Sequence, residues 1–166
     1  MKIVSIDVGM VSLGYSIWNK HVVSFGVCNV RSMVPKKHQK DYCILARTFI
    51  DRRRDIFQDV DVVLIERQLR ADMKQFATAL RAFLWSSAKV LLVSPIVVKR
   101  FFNISMGKYY LNKKASVAMF SQTVSAKSLQ DFNLFKMKQK TDIADAFLQL
   151  RWYLFKYNII PLSPHA

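Results

Sequence analysis

The stretch that decides the fold is Met1-Lys2-Ile3-Val4-Ser5-Ile6-Asp7-Val8-Gly9. Ile3, Val4 and Ile6 form a short β-prone apolar run, and Asp7 ends it just before Gly9. A carboxylate at the end of a buried strand is expensive to hold without compensation, which makes Asp7 a candidate site residue. Strand–Asp–x–Gly also describes an ordinary tight turn, so the motif alone decides little. The design recurs where Val62, Val63, Leu64 and Ile65 run straight into Glu66. A third piece is Lys140-Thr141-Asp142-Ile143-Ala144-Asp145, which reads as the start of an amphipathic helix. Asp142 and Asp145, at i and i+3, share one face there. Two acids near a helix start are commonplace, because the macrodipole favours negative charge. Three distant segments that each place acid where burial disfavours it point instead to a cation. Clustered carboxylates resist ionising together unless one joins them.

The donor set narrows the cation. The chain has three histidines and two cysteines, with no zinc-ligand spacing. Hard oxygen donors without imidazole or thiolate select Mg²⁺, with Mn²⁺ able to substitute. Two such ions can activate a water and stabilise the leaving 3′-oxygen of a phosphodiester. The charge fits that substrate: 26 Lys+Arg against 11 Asp+Glu give a formal +15 in 166 residues, the footprint of a polyanion binder. Nucleic acid is favoured over membrane, since no apolar run approaches the ~18 residues of a bilayer span and no lipidation signal is present. The N-terminus carries no apolar signal region, and an intracellular setting is expected. With 52% hydrophobic residues the chain reads as one folded domain over residues 1–166, with an irregular tail at 157–166.

Taken in order, residues 11–18 and 22–30 read as second and third strands joined by an Asn19-Lys20-His21 turn, hence antiparallel. Residues 31–39 form a basic loop and 40–57 a helix. Most of its arginines, Arg47, Arg52, Arg53 and Arg54, are expected on a solvated face. Residues 61–66 read as a buried parallel strand. The helix after it carries an apolar stripe of Met73, Phe76, Ala77, Leu80, Phe83 and Leu84. Core packing is the plain reading of that stripe, and part of it could serve a subunit interface. Residues 90–93 give a fifth strand. Residues 96–114 interleave basic and aromatic side chains, a helix is expected over 115–123, and a polar connection over 125–138. A last helix is expected from about residue 141. The order predicts an α/β fold with a five-stranded mixed sheet, three antiparallel strands then two parallel ones, flanked by helices.

Ile6-Asp7-Val8-Gly9, Ile65-Glu66-Arg67-Gln68 and Lys140-Thr141-Asp142-Ile143-Ala144-Asp145-Ala146, in this order and with this charge, resemble the RuvC-type Holliday-junction resolvases of the ribonuclease-H-like superfamily, and among them the poxvirus branch. The resemblance runs from Met1 to about Phe155. It implies that Asp7, Glu66, Asp142 and Asp145 are the catalytic metal-binding acids, with Mg²⁺, two ions per site. Pro95-Ile96-Val97-Val98-Lys99 resembles the family's Pro-x-x-Val-Lys turn, which implies that Lys99 acts at the scissile phosphate. Lys114 stands where a basic residue opens the next helix and is assigned a catalytic part beside it, although neighbouring Lys113 is not distinguished from it by sequence. Lys113 is read as plain phosphate binding. Arg67, Arg70, Lys99, Arg100, Lys108, Lys113 and Lys114 are the expected DNA contacts. One departure is the loop Arg67-Gln68-Leu69-Arg70, where the bacterial enzymes carry an aromatic. The resemblance further implies a homodimer, paired nicks in a four-way or branched DNA, and, for a poxvirus protein, the host cytoplasm. A nuclease of the same fold acting on RNA, and a non-catalytic junction binder, remain as alternatives.

Overall fold

The computed structural model describes residues 1–104 and 107–160. Its centre is the opening strand. β1 (Lys2–Asp7) pairs antiparallel with β2 (Leu13–Asn19), which pairs antiparallel with β3 (Val22–Cys28). On its other side β1 runs parallel to β4 (Val62–Glu66), and β4 parallel to β5 (Lys89–Val93). The order β3-β2-β1-β4-β5 is the mixed sheet expected from the sequence, three antiparallel strands and then two parallel ones. The β2–β3 turn places Lys20 and His21 at φ 47° and 72°, the doubly left-handed geometry that matches the twist of a tight hairpin.

Helices cover both faces, which is why the inner strands read as continuous apolar runs. Side chains alternate across β1. Val4 and Ile6 enter one layer, with Leu45 and Phe49 of α1 (Tyr42–Arg52) and Phe76 and Leu80 of α3 (Ala71–Leu84), α2 (Arg54–Phe57) closing its edge. Ile3 and Leu64 enter the other, with Phe147 and Leu150 of the final helix and a ring cluster in which Phe120 stacks on Phe132 at 4.1 Å. Asp41 caps α1 by accepting hydrogen bonds from the Cys43 and Ile44 amides. Arg53 departs from the solvated face. It donates to the Tyr15 hydroxyl at 2.9 Å and the Cys28 sulfur at 2.7 Å, fastening the end of α1 to two strands.

Four expectations change. Pro95 does not begin a turn; it opens α4 (Pro95–Phe101), where its missing N–H is no loss. The next helix, α5, runs Tyr109–Thr123 and so starts six residues before the expected position, because its first turns are exposed and show no apolar period. Within the expected polar connection lies α6 (Ala126–Asn133), which buries a single side chain, Phe132, and therefore leaves little periodic signal. The last helix, α7 (Met137–Lys156), begins a turn early, with the Gln139 side chain accepting from the Lys136 amide. The expected irregular tail is described only as far as Ile160, where it is turn and bend, and residues 161–166 lie outside the described residues. Among the described residues no helix is long and apolar enough to cross a membrane.

The α3 stripe is mostly core. Phe76 and Leu80 are fully buried, whereas Phe83 is 38% exposed beneath the Arg47 guanidinium. Of Phe76, Leu80 and Phe83, only Phe83 therefore faces outward. Leu80→Ala should lower stability by about 2–5 kcal/mol in a urea melt, the range for emptying a buried leucine site. Phe83→Asp should stay within about 1 kcal/mol of wild type, as surface changes do. Equal losses would contradict this division of the helix.

Candidate active site

Asp7 and Glu66 leave the C-terminal ends of two adjacent parallel strands, the register Ile6↔Ile65 placing them side by side. The chain after Asp7 turns tightly. A Cβ on Gly9 would lie 2.2 Å from the Ser12 carbonyl oxygen, so only glycine fits there. That turn aims the Ser12 hydroxyl at α7, where it donates to Asp142 Oδ2 at 2.6 Å. Close approach of α7 to β2 at the same level depends on Gly14, whose Cβ would meet the Asp142 backbone at 2.3 Å. Behind the acids, the Gln149 amide donates to Ser5 Oγ at 3.0 Å and to the Ile6 carbonyl at 3.5 Å. Gln149 is one helical turn beyond Asp145 and 2% exposed, so it ties the helix that bears Asp145 to the strand that bears Asp7.

These elements bring all four expected acids together. Asp142 and Asp145 lie in the second and third turns of α7, and the first turn holds no acid. Dipole capping, the commonplace explanation for their presence, is thereby removed, since that effect fades beyond the first turn. The lysine among them is Lys113, with Nζ 2.5 Å from Asp145 Oδ2, 3.8 Å from Asp142 Oδ1 and 3.9 Å from Asp7 Oδ2. Lys114, the expected catalytic lysine, instead projects from the exposed side of α5 over the Tyr110 ring. The correction follows from helical phase, because adjacent residues diverge by about 100° around the axis. Lys99 is half-buried and lines a water-sized cavity of about 10 Å³ with Glu66, Asp145 and Gln149. Arg67, Arg100 and Lys108 are exposed, and Arg70 pairs with Asp72 at 3.0 Å. A much larger cavity, about 1090 Å³, opens elsewhere, between β3, α6 and α7.

Burial and mutual repulsion dominate the electrostatics. Burial first, then Glu66, holds the Asp7 carboxyl well above the usual range against the opposing pull of Lys113. Burial first, then Asp145, raises Glu66. Burial raises Asp142, with the Ser12 hydrogen bond opposing it. For Lys113 the burial effect is downward, but Asp145 and Asp7 outweigh it and raise its pKa well above normal. Lys113 is thus a fixed cation holding part of an excess negative charge.

A hard divalent cation fits this donor set: four carboxylates, no sulfur or imidazole, and a buried Asp145 Oδ1 without a hydrogen-bond partner. With the side chains as they stand, no three acidic, His or Cys groups among the described residues close round a single point. The Lys113 ammonium occupies the space between three of the acids. Sequence reasoning missed Ser12 and Gln149 and gave Lys113 a lesser part. An amide inside an apolar helical face was the signal for Gln149. Ser12 had none, because its role exists only through the Gly9 turn.

Comparison with known proteins places the chain. The family model described as poxvirus A22 protein matches residues 1–156. No curated protein matches the sequence. Among solved structures, the fowlpox virus Holliday junction resolvase is similar at 21% identity and a TM-score of 0.69, covering 94% of this chain and 99% of that one. The fowlpox virus resolvase in complex with substrate Holliday junction DNA is similar at 20% identity and 0.66, covering 97% and 100%. At that identity the likeness concerns the fold.

Two outcomes follow from the geometry. Because the folded-state pKa of Asp7 lies above its unfolded value of about 3.9, its charge opposes folding once the pH exceeds that value. In chelator at pH 7, Asp7→Asn should therefore melt higher than wild type, on the order of 2–4 °C. The gain should shrink as the pH falls towards about 4 and vanish below it, and a lower Tm at pH 7 would contradict the assignment. Gln149→Leu should lose about 1–3 kcal/mol of stability. Titrated with Mn²⁺, it should also show a smaller rise in Tm than wild type. Equal rises would show that the amide does not set the spacing of the acids.

Proposed function

The chain belongs to the poxvirus A22 protein family, and from that premise we propose that it is a divalent-metal-dependent endonuclease that resolves four-way DNA junctions by paired, symmetric nicks. Its substrates are branched or concatemeric viral DNA in the host cytoplasm. The observation that carries the proposal is the convergence of Asp7, Asp142 and Asp145 from β1 and α7 around one ammonium, with Glu66 of β4 beside Asp7, on a chain of formal charge +15. A ribonuclease-H-like sheet alone would support many chemistries.

Asp7, Glu66, Asp142 and Asp145 hold the metal, Mg²⁺ in the cell with Mn²⁺ able to replace it and two ions per site. When bound, the ions supply an activated water and stabilise the departing 3′-oxygen of an in-line displacement. The protein's own groups do the rest. Gln149 and Ser12 fix the positions of Asp145 and Asp142 before substrate arrives, so little reorganisation is left for the reaction. Lys113 offsets the carboxylates, which would otherwise repel a phosphate. Lys99, half-buried beside Glu66, meets the scissile phosphate from the other side. Arg67, Arg70, Arg100, Lys108 and Lys114 contact the flanking backbone and position the junction without reading sequence. A two-fold junction calls for an isologous homodimer. The exposed end of α3, with Phe83 and Trp85, offers apolar surface for the second copy.

The test compares a synthetic four-way junction with a linear duplex and an RNA–DNA hybrid, with and without Mg²⁺. Junction cleavage into nicked duplexes only with the ion is expected, and preferential cutting of the hybrid would overturn the junction reading. Asp7→Asn should abolish cleavage while binding the junction at least as tightly, since it removes repulsion against phosphate. Lys99→Ala should lower the single-turnover rate on saturating substrate and reduce the log–log salt slope of binding by about 0.9. Analytical ultracentrifugation should find a dimer. A micromolar monomer that still linearises a cruciform plasmid in one binding event would overturn that part.

A further inference from the structure

Two aromatic side chains at the start of α5 have no part in the core. Tyr109 and Tyr110 begin α5 and are 75% and 57% exposed. Each has a lysine one turn further on, on the same side of the helix. The Lys113 ammonium lies 5.8 Å from the Tyr109 ring centroid, and Lys114 lies 5.9 Å from that of Tyr110. Neither ring meets another ring among the described residues, so each is held by a cation at one face and leaves most of its surface open. Such contacts stabilise an exposed site by only about 0.5–1 kcal/mol, too little to explain why two large apolar surfaces are kept in water. They do orient the rings, and a tyrosine has few rotatable bonds left to freeze on binding.

Placement is the second observation. Lys113 is the same lysine that reaches Asp145, Asp142 and Asp7, so a single head group links the Tyr109 ring to the acid cluster. A phosphodiester seated at those acids has a nucleotide on either side of it, and the exposed ring stands at the rim of the cluster, within reach of a neighbouring base. Around it the surface is basic, with Lys108 and Lys114 exposed. Open aromatic faces within a cationic rim are how proteins stack bases of single-stranded nucleic acid. In a linear duplex those faces are occupied by neighbouring bases. Only an unpaired base, such as one at a strand crossover, can reach the ring.

We propose that Tyr109, with Tyr110 beside it, is a stacking shelf for one unpaired nucleobase next to the scissile phosphate. The shelf favours branched over linear DNA without reading sequence. This inference rests on the nuclease reading above. Tyr109→Phe keeps the ring and Tyr109→Ala removes it, while neither changes charge.

The experiment measures junction binding by wild type and both variants, in Ca²⁺ in place of Mg²⁺ so that strands stay intact. The junction is used whole and with single abasic nucleotides at each position flanking the crossover. Tyr109→Ala should weaken binding to the intact junction roughly 5- to 150-fold, the range for one stacked base. At one abasic position the wild type should lose affinity by a similar factor and the alanine variant nothing more. Tyr109→Phe should bind as wild type, and the salt slope should be unchanged in both variants because no phosphate contact is lost. Wild-type affinity in Tyr109→Ala, or an undiminished loss on every abasic junction, would overturn the shelf. So would a change in sedimentation, which would make the tyrosines a subunit contact. Failure of wild type to cut the intact junction in Mg²⁺ would instead overturn the nuclease reading and is scored separately.

Discussion

Repulsion among four carboxylates is the constraint on which this structure turns. Asp7 and Asp145 are each only 8% exposed, and for Asp7 neither burial nor the neighbouring carboxylates favour the ionised form. The fold holds them together against that tendency with a sheet register, two glycine-permitted close approaches, one buried amide and one ammonium. Each of these is a short-range steric or hydrogen-bonding device opposed to a long-range electrostatic one. The hydrophobic layers on both faces of the sheet supply the stability that makes the arrangement tolerable. Functional sites commonly store such unfavourable energy, supported by the surrounding packing.

The two layers differ in what they do for the site. The layer under α1 and α3 is built of aliphatic and aromatic side chains and contributes no acid, so it serves as a base against which β1 and β4 are held flat. The layer under α7 is both core and site. Residues 143–150 are all buried, with Asp145 and Gln149 set among apolar side chains, so a small rotation of this helix would disturb packing and chemistry together. Gly14 sets how near the helix can come, and Gln149 sets how far it can slide.

Much of this was legible in the sequence, for reasons that can be named. β1 and β4 declare themselves because strands covered on both sides need unbroken apolar runs, and an acid closing such a run stands out. The order of elements followed from the alternation of strand and helix after residue 40. What escaped notice lay where burial is slight. α6 buries one phenylalanine, and the start of α5 exposes two tyrosines, so neither leaves a period to read. That error propagated into the site. Without the first turn of α5 the angular phase of Lys113 and Lys114 was undefined, so the sequence did not show that Lys113 is the one that reaches the acids. Ser12 and Gln149 act through partners 130 and 144 residues away, and such pairings are a property of the folded chain only.

The spread of the acids along the polypeptide has a consequence for biosynthesis. Asp7 is synthesised well before Asp142 and Asp145, and in the interval the nascent chain has a β1 with nothing to close the centre. Contacts of such sequence separation form late and cooperatively, because loop closure must precede them. A half-made chain that lacks α7 would carry many of the basic side chains but no acid cluster.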